Sequence, residues 1–502
     1  MLYKFVKVFL LVLIVFITSC DSKKENEPEE KILVKIGDVT ISLSEFIRRS
    51  EYTVRPPYCK GSHNLDKKIV INSLIAEKLL ALEATDTNMI LQSENVKLYL
   101  QGIKEQGMRQ WLYAKEADEK VELDSAAILK TMQVAGRKYK VSYFSLPDSS
   151  MAVEVDKKLN IDKKTFEDTF YELTGIDSIP YREVEWSTNE HNSILDSLYS
   201  EPLKKNQIVG PIKINKNEYL FARINGWLDT PIIIEKQFNE RWKDVSEKYH
   251  SRKAQEIYTE FIIDVMKDKN IEFMPETFFK MANLLGPIYL TTDKEKEDAL
   301  NNAVWQIENN EVDYSPLNDQ LKEMQDQPFF KINDEIYSIK DFIKEVKIHP
   351  LVFRQKKIKK KDFGQQLQFA IMDLIRDKYL TEVAYEREYD QINVVKRNYN
   401  MWKDNFSYIY YKEKYLRSVL PDSADGMNYI TVLENYLNKY VDSLQYKYSD
   451  KIQIDVEEFN KIELTRIDMN VNYNNEAYSR VVPSFPIITT DNKLDYGKKM
   501  YE

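Results

Sequence analysis

Cys59-Lys-Gly-Ser-His63 sets a thiol and an imidazole four residues apart, a spacing at which both could reach one metal ion. Zinc sites take three or four protein ligands. No further Cys or His lies nearby, so the segment reads as a loop carrying a free thiol. Glu256 and Glu260 stand at helical spacing among basic neighbours, which describes a solvated helix face rather than an acid–base pair. The four histidines, His63, His191, His250 and His349, are scattered. No Ser/His/Asp or Cys/His arrangement for nucleophilic catalysis has local support. The phosphate loops GxxxxGK[ST] and GxGxxG are absent. The basic run Gln355-Lys-Lys-Ile-Lys-Lys-Lys361 could touch anionic lipid heads, but it reads first as a solvated loop. No catalytic residue, metal or cofactor is expected.

The thiol with the clearest context is Cys20. Lys4 and Lys7 precede ten consecutive apolar residues, Val8 to Ile17, followed by Thr18-Ser19-Cys20 and a polar run from Asp21 to Glu30. Ten residues at about 1.5 Å each cannot cross a hydrocarbon core of roughly 30 Å, so the stretch fits a secretory h-region. Ile17-Thr18-Ser19-Cys20 resembles the lipobox of bacterial lipoproteins. That resemblance implies a signal peptide over 1–19, with Cys20 as the lipidated first mature residue. Residues 20–31 then form an acidic tether to a membrane, and the chain faces the periplasm from the inner or outer membrane.

A length of 502 residues implies more than one domain. A net charge of −9 argues against nucleic acid as a partner. With Cys20 acylated, Cys59 has no disulfide partner. The 33 tyrosines offer ring area with a polar handle, although a lineage bias in composition explains them as well.

The elements that must position any site occur twice. Residues 34–47 read as strand, turn at Gly37-Asp38, strand, then a helix behind Ser42 or Ser44. The pattern returns at 330–343 with a constant offset of 296, conserving Lys35/Lys331, Ile36/Ile332, Asp38/Asp334, Ser42/Ser338, Phe46/Phe342 and Ile47/Ile343. The next helix recurs at an offset of 300, where Leu74-Ile75 and Lys78 match Leu374-Ile375 and Lys378. Long helical stretches follow near 92–120 and 392–418, then a late helix with an extended turn in each half. Residues 138–228 break the pattern with alternating strands. The expected fold is α+β, mostly α. A first helical module spans 32–137, is interrupted by the α+β insert 138–228 and is completed by 229–290. A second module covers 328–480, and 481–502 form a C-terminal tail.

The hairpin, the Ser-Glu-Phe helix start and Leu74-Ile-Ala-Glu-Lys-Leu-Leu80 resemble the N-terminal domain of SurA/PrsA-type periplasmic chaperones. In that family a parvulin-type (PpiC-like) peptidyl-prolyl isomerase domain interrupts a helical module. Leu195 to Tyr199, Asn206-Gln-Ile-Val-Gly-Pro211 and Tyr219-Leu-Phe-Ala-Arg-Ile224 resemble that domain's last helix, turn and strand. Parvulins use one histidine in the first strand and one in the last. These slots hold Tyr143 and Leu220 here, so the resemblance implies a degenerate isomerase. Tyr143, Tyr199 and Leu220 become candidate client-binding residues. The implied function is a membrane-tethered chaperone for unfolded exported proteins, outer-membrane β-barrels among them. An accessory subunit of an envelope assembly or secretion complex is the alternative, and an active isomerase a further one.

Overall fold

The computed structural model describes residues 30–60, 63–84, 89–188, 190–215, 217–290, 315–421, 427–467 and 469–495. The signal peptide, Cys20 and all but the last two residues of the acidic tether lie outside the described residues. The described chain is mostly helical with small antiparallel sheets.

It opens with β1 (Ile32–Ile36), β2 (Val39–Ser42), α1 (Leu43–Glu51), α2 (His63–Glu83) and α3 (Glu94–Glu116). Next come α4 (Ser125–Val134), β3 (Arg137–Leu146), α5 (Ser149–Asp156), α6 (Phe166–Thr174) and β4 (Tyr181–Glu185). Then follow α7 (Asn192–Tyr199), β5 (Ile208–Asn215), β6 (Glu218–Asp229) and α8 (Glu235–Met266). The hairpin pattern returns after β7 (Ile271–Phe273) and α9 (Pro275–Tyr289), as β8 (Pro328–Ile332), β9 (Glu335–Ser338), α10 (Ile339–Ile348), α11 (Phe363–Glu386) and α12 (Asn393–Val419). The last elements are α13 (Asn438–Lys447), β10 (Ile452–Ile454) and α14 (Val456–Lys461). Described residues up to Leu112 and from Val265 onward form one compact unit, and Tyr113–Asp264 form another.

The two hairpins of the larger unit repeat one another bond for bond. Gly37 and Asn333 both take the left-handed conformation at the turn, with φ of 59° and 54°. That region is open to Gly and tolerated by Asn. Ser42 accepts from the backbone N–H of Glu45, and Ser338 from that of Asp341, so each hairpin runs into a capped helix. Two strands alone are marginal, and each hairpin gains a third. Here the structure departs from the sequence reading. β1 pairs with β10 (Ile36 opposite Ile452), while β8 pairs with β7 (Ile332 opposite Ile271). The first hairpin is therefore completed by the end of the second repeat. Residues 271–273, expected in the first module as part of 229–290, complete the second hairpin.

Loop closure does not decide this exchange. Pairing β7 with β8 rather than β1 shortens its loop by about two doublings, worth about 1.2 kcal/mol, and β10 gives back about as much by reaching β1. Packing decides it. Tyr408 of α12 and Val441 and Leu444 of α13 lie in the core of the first hairpin, α1 and α2. β10 follows α13 almost directly, so it arrives at β1. Sequence spacing could not show this, because β7 and β10 present the same short apolar pattern to equivalent registers.

The interior of that core holds a bidentate ion pair. Arg49 Nη1 and Nη2 lie 2.8 Å and 3.1 Å from the two carboxylate oxygens of Glu77. Both side chains are fully buried. Asn405 of α12 donates to the same carboxylate at 2.6 Å. Arg49 also donates to the carbonyl of Ser484 at 2.9 Å. Residues 481–502, read from the sequence as a tail, thus begin inside the fold: Val481, Val482, Phe485 and Ile488 are buried. A buried irregular segment needs partners for its backbone groups. Asn72 donates to the carbonyls of Asp491 (2.9 Å) and Lys493 (2.7 Å), and Gln106 pairs with both backbone groups of Tyr478.

The second repeat is tied to α3. Arg109 of α3 donates to Thr381 Oγ1 of α11 at 2.8 Å. One turn earlier on α11, Asp377 binds His349 Nε2 at 2.9 Å. Burial raises the Asp377 carboxyl, but the His349 hydrogen bond and the Arg109 and Arg376 guanidiniums outweigh it and hold it at about 2.

In the smaller unit the sheet order is β4-β3-β6-β5. α7 and Val245 of α8 pack one face, and α5 and α6 the other. Ile128, Met132 and Val134 of α4 share the first of these cores. The insert therefore reaches beyond the expected 138–228, because α4 and α8 supply apolar side chains that its sheet needs to be covered.

Two outcomes follow from the charges. Glu77→Gln strands Arg49 in the core and should cost about 3–5 kcal/mol in urea unfolding, whereas Lys236→Ala in an exposed helix pair should change it by less than about 0.5 kcal/mol. Asp377, depressed when folded, stabilises above its ordinary value of 3.8, and this is lost as pH falls toward about 2. Asp377→Asn should flatten the acid limb of stability within that window.

Candidate functional site

β3 and β6 are neighbours, with Tyr143 opposite Ala222 and Ser145 opposite Leu220. Tyr143 and Leu220 are thus diagonal neighbours on one face of the sheet, where side chains can meet. Tyr199 comes to the same apolar cluster from α7. The structure brings the three sequence-derived candidates together, but as a packed core. Leu220 and Tyr199 are 5% and 1% exposed. Tyr143 is half-buried beneath the Arg182 guanidinium, 5.0 Å from its ring centroid, and Arg182 is held by Glu190 at 2.9 Å.

Tyr199 is a structural residue. Its ring meets those of Tyr139 and Trp186 edge to face at 5.3 Å and 5.5 Å. Its hydroxyl reaches the carbonyls of Arg137 at 2.8 Å and Val184 at 2.9 Å. Burial pushes this hydroxyl well above its ordinary range. A buried Tyr needs such a partner, and this one is satisfied by the sheet itself. It offers no surface to a client.

The other reactive groups have local roles. Cys59 is buried in the first core, and burial, with Asp66 nearby, pushes its thiol up to about 12. It is therefore a neutral thiol at physiological pH and a poor nucleophile or ligand. His191 accepts from the backbone N–H of Ser193 as the cap of α7, His250 faces Asp118 at 3.5 Å, and His349 binds Asp377. Among the described residues no group of three or more His, Cys, Asp or Glu side chains is placed to hold a metal ion. No helix among them is long and apolar enough to cross a membrane.

The surface that stands out lies where β6 hands over to α8. Leu228, Ile233, Ile234 and Phe238 are 58%, 79%, 55% and 41% exposed within eleven residues. Gln237 fixes the turn by accepting from the backbone N–H groups of Ile233 and Ile234 at 2.8 Å and 3.3 Å. Phe238 stacks on Trp242 at 6.3 Å, while Ile232 and Trp242 pack inward against the core. One side of this stretch thus anchors it and the other presents large apolar side chains. Such clusters mark interaction sites, and each side chain is worth about 1.5–3 kcal/mol when covered. The sequence carried a signal for it: Pro231-Ile-Ile-Ile234 is an apolar run in a turn, where polar residues are usual.

The chain matches no protein-family model and no curated protein.

In a chain carrying Cys20→Ser, Cys59 should resist a thiol reagent at pH 8 and react fully once unfolded; rapid native labelling would contradict its burial. Tyr199→Phe should destabilise the smaller unit by about 1–3 kcal/mol by removing the one hydroxyl proton that the two carbonyls share, measured by thermal unfolding.

Proposed function

We propose that this protein is a membrane-tethered chaperone of the SurA/PrsA type. It holds unfolded exported polypeptides, outer-membrane β-barrels among them, in the bacterial envelope. Cys20 carries the lipid, and the parvulin-like insert binds without isomerising. The observation that carries the reading is the exposed apolar stretch Leu228, Ile233, Ile234 and Phe238. A folded client offers little to such a surface. An unfolded one offers apolar side chains in any order, and several weak contacts suffice when the binder is already tethered where clients emerge. The diagonal placement of Tyr143 and Leu220 also supports the resemblance, since the family's two histidines must meet across first and last strands. With a Tyr and a Leu in those slots, no imidazole faces a proline there.

The test is light scattering as an unfolded outer-membrane β-barrel is diluted from urea. The mature chain should suppress aggregation at near-stoichiometric ratios, and Ile233→Ser/Ile234→Ser/Phe238→Ser should lose most of that effect without lowering the melting temperature. No suppression by the unaltered chain ends the reading. A single stoichiometric partner in a pull-down from solubilised membranes, in place of a spread of clients, would replace it with the accessory-subunit reading.

A further inference from the structure

A cleft of about 700 Å³ opens in the larger unit between α3, α12 and the turn after α11. α3 lines it with Lys97, Leu100, Gln101 and Lys104. α12 lines it with Lys396, Tyr399, Asn400 and Lys403. The four positions are equivalent in the two repeats: each pair is separated by 299 residues. Spacings of three, four and seven place each set on one helix face. Exposure repeats too, with Lys97 and Lys396 exposed and Lys104 and Lys403 half-buried. The duplication has therefore brought two copies of one cationic helix face to a single concavity.

The four lysines are short of counter-charge. Asp390 is the one carboxylate among the lining residues. Among the described residues none of the four is ion-paired. Lys97 reaches the amide oxygen of Gln92 at 3.2 Å, and Lys104 lies 5.2 Å from the Tyr385 ring centroid. Of the acids on α3, Glu105 accepts from Gln101 at 2.8 Å and from the Tyr385 hydroxyl at 3.2 Å, and Glu94 stands one turn before Lys97 without an ion pair to it. Like charges gathered in a concavity focus the field and favour an anionic occupant. Between the lysines lie the rings of Tyr399 and Tyr385, an apolar surface that a small inorganic anion would leave uncovered.

We propose that this cleft binds an extended acidic peptide segment with an apolar side chain between its carboxylates. Lys97 and Lys104 are seven residues apart, about 10 Å along the helix. An extended pentapeptide sets its first, third and fifth side chains on one face, about 13 Å from first to last at roughly 3.3 Å per residue, a span that long lysine side chains can meet. Carboxylates at its two ends meet the lysine pairs, the amide of Asn400 takes a backbone group, and the apolar side chain meets Tyr399 and Tyr385. The inference is independent of the chaperone reading, which rests on the apolar stretch of the smaller unit.

The experiment is fluorescence anisotropy of the unlipidated mature chain with labelled Glu-Asp-Leu-Asp-Glu and its neutral analogue Gln-Asn-Leu-Asn-Gln. The acidic peptide should bind at low salt and weaken by about tenfold or more when NaCl is raised from about 50 to about 500 mM. Lys97→Glu/Lys396→Glu should weaken it by about tenfold or more with an unchanged melting temperature. Lys356→Glu/Lys357→Glu, in the exposed basic loop elsewhere, should leave it unchanged. Equal binding of the neutral peptide overturns the proposal. So does indifference to Lys97→Glu/Lys396→Glu, or tighter binding of an oligothymidylate of equal charge.

Discussion

The larger unit depends on the Arg49–Glu77 pair. Both side chains are fully excluded from water, where an ion pair gains from each further hydrogen bond its groups make. Further partners come from far along the chain, Asn405 from the second repeat and the carbonyl of Ser484 from the closing segment, while Arg49 Nε is buried without one among the described residues. Close by, Lys78 pairs with Glu45 and with Asp404, each at 2.9 Å. A core of Leu and Ile alone could be covered by many apolar faces. One holding a guanidinium and a carboxylate also asks for polar partners, which Asn405 and Ser484 bring. The pair thus adds a polar requirement to the apolar packing that docks the second repeat on the first.

The exchange of third strands follows from that packing. Once α12 and α13 are committed to the first core, β10 lies beside β1, and β7 is left for β8. Neither repeat is self-sufficient. The duplication visible in the sequence has become one interlocked body, whose compact unit draws on residues from both sides of the insertion. The same interlocking sets equivalent faces of α3 and α12 against a common cleft.

The smaller unit separates scaffold from surface. Its sheet is covered on both faces, and the aromatic residues that looked available for binding are spent on cohesion. The Tyr199 hydroxyl lies within hydrogen-bond distance of two carbonyls, and its ring meets those of Tyr139 and Trp186 edge to face. Apolar side chains reach solvent instead at the turn into α8, where the backbone is held by Gln237 and the side chains are free. A rigid support under exposed aliphatic groups suits weak, unselective contact with unfolded chains better than a shaped cavity would.

Much of the local structure was legible in the sequence, because it rests on local rules. The turn at Gly37-Asp38, the Ser42 cap and the period of α2 each follow from a few neighbouring residues, and so does their recurrence at Asn333 and Ser338. The alternating strand that opens the insert was legible for the same reason. The pairing of β1 with β10, the burial of Val481 to Ile488 and the closing of Tyr199 into a core were not. Each depends on partners dozens to hundreds of residues away, and short apolar segments of equal pattern are interchangeable until packing and buried charge distinguish them. The sequence determined which elements exist and that they come twice. Only the tertiary structure decided which copy completes which, because that choice is made where α12 and α13 pack on the first core and bring partners to its buried polar groups.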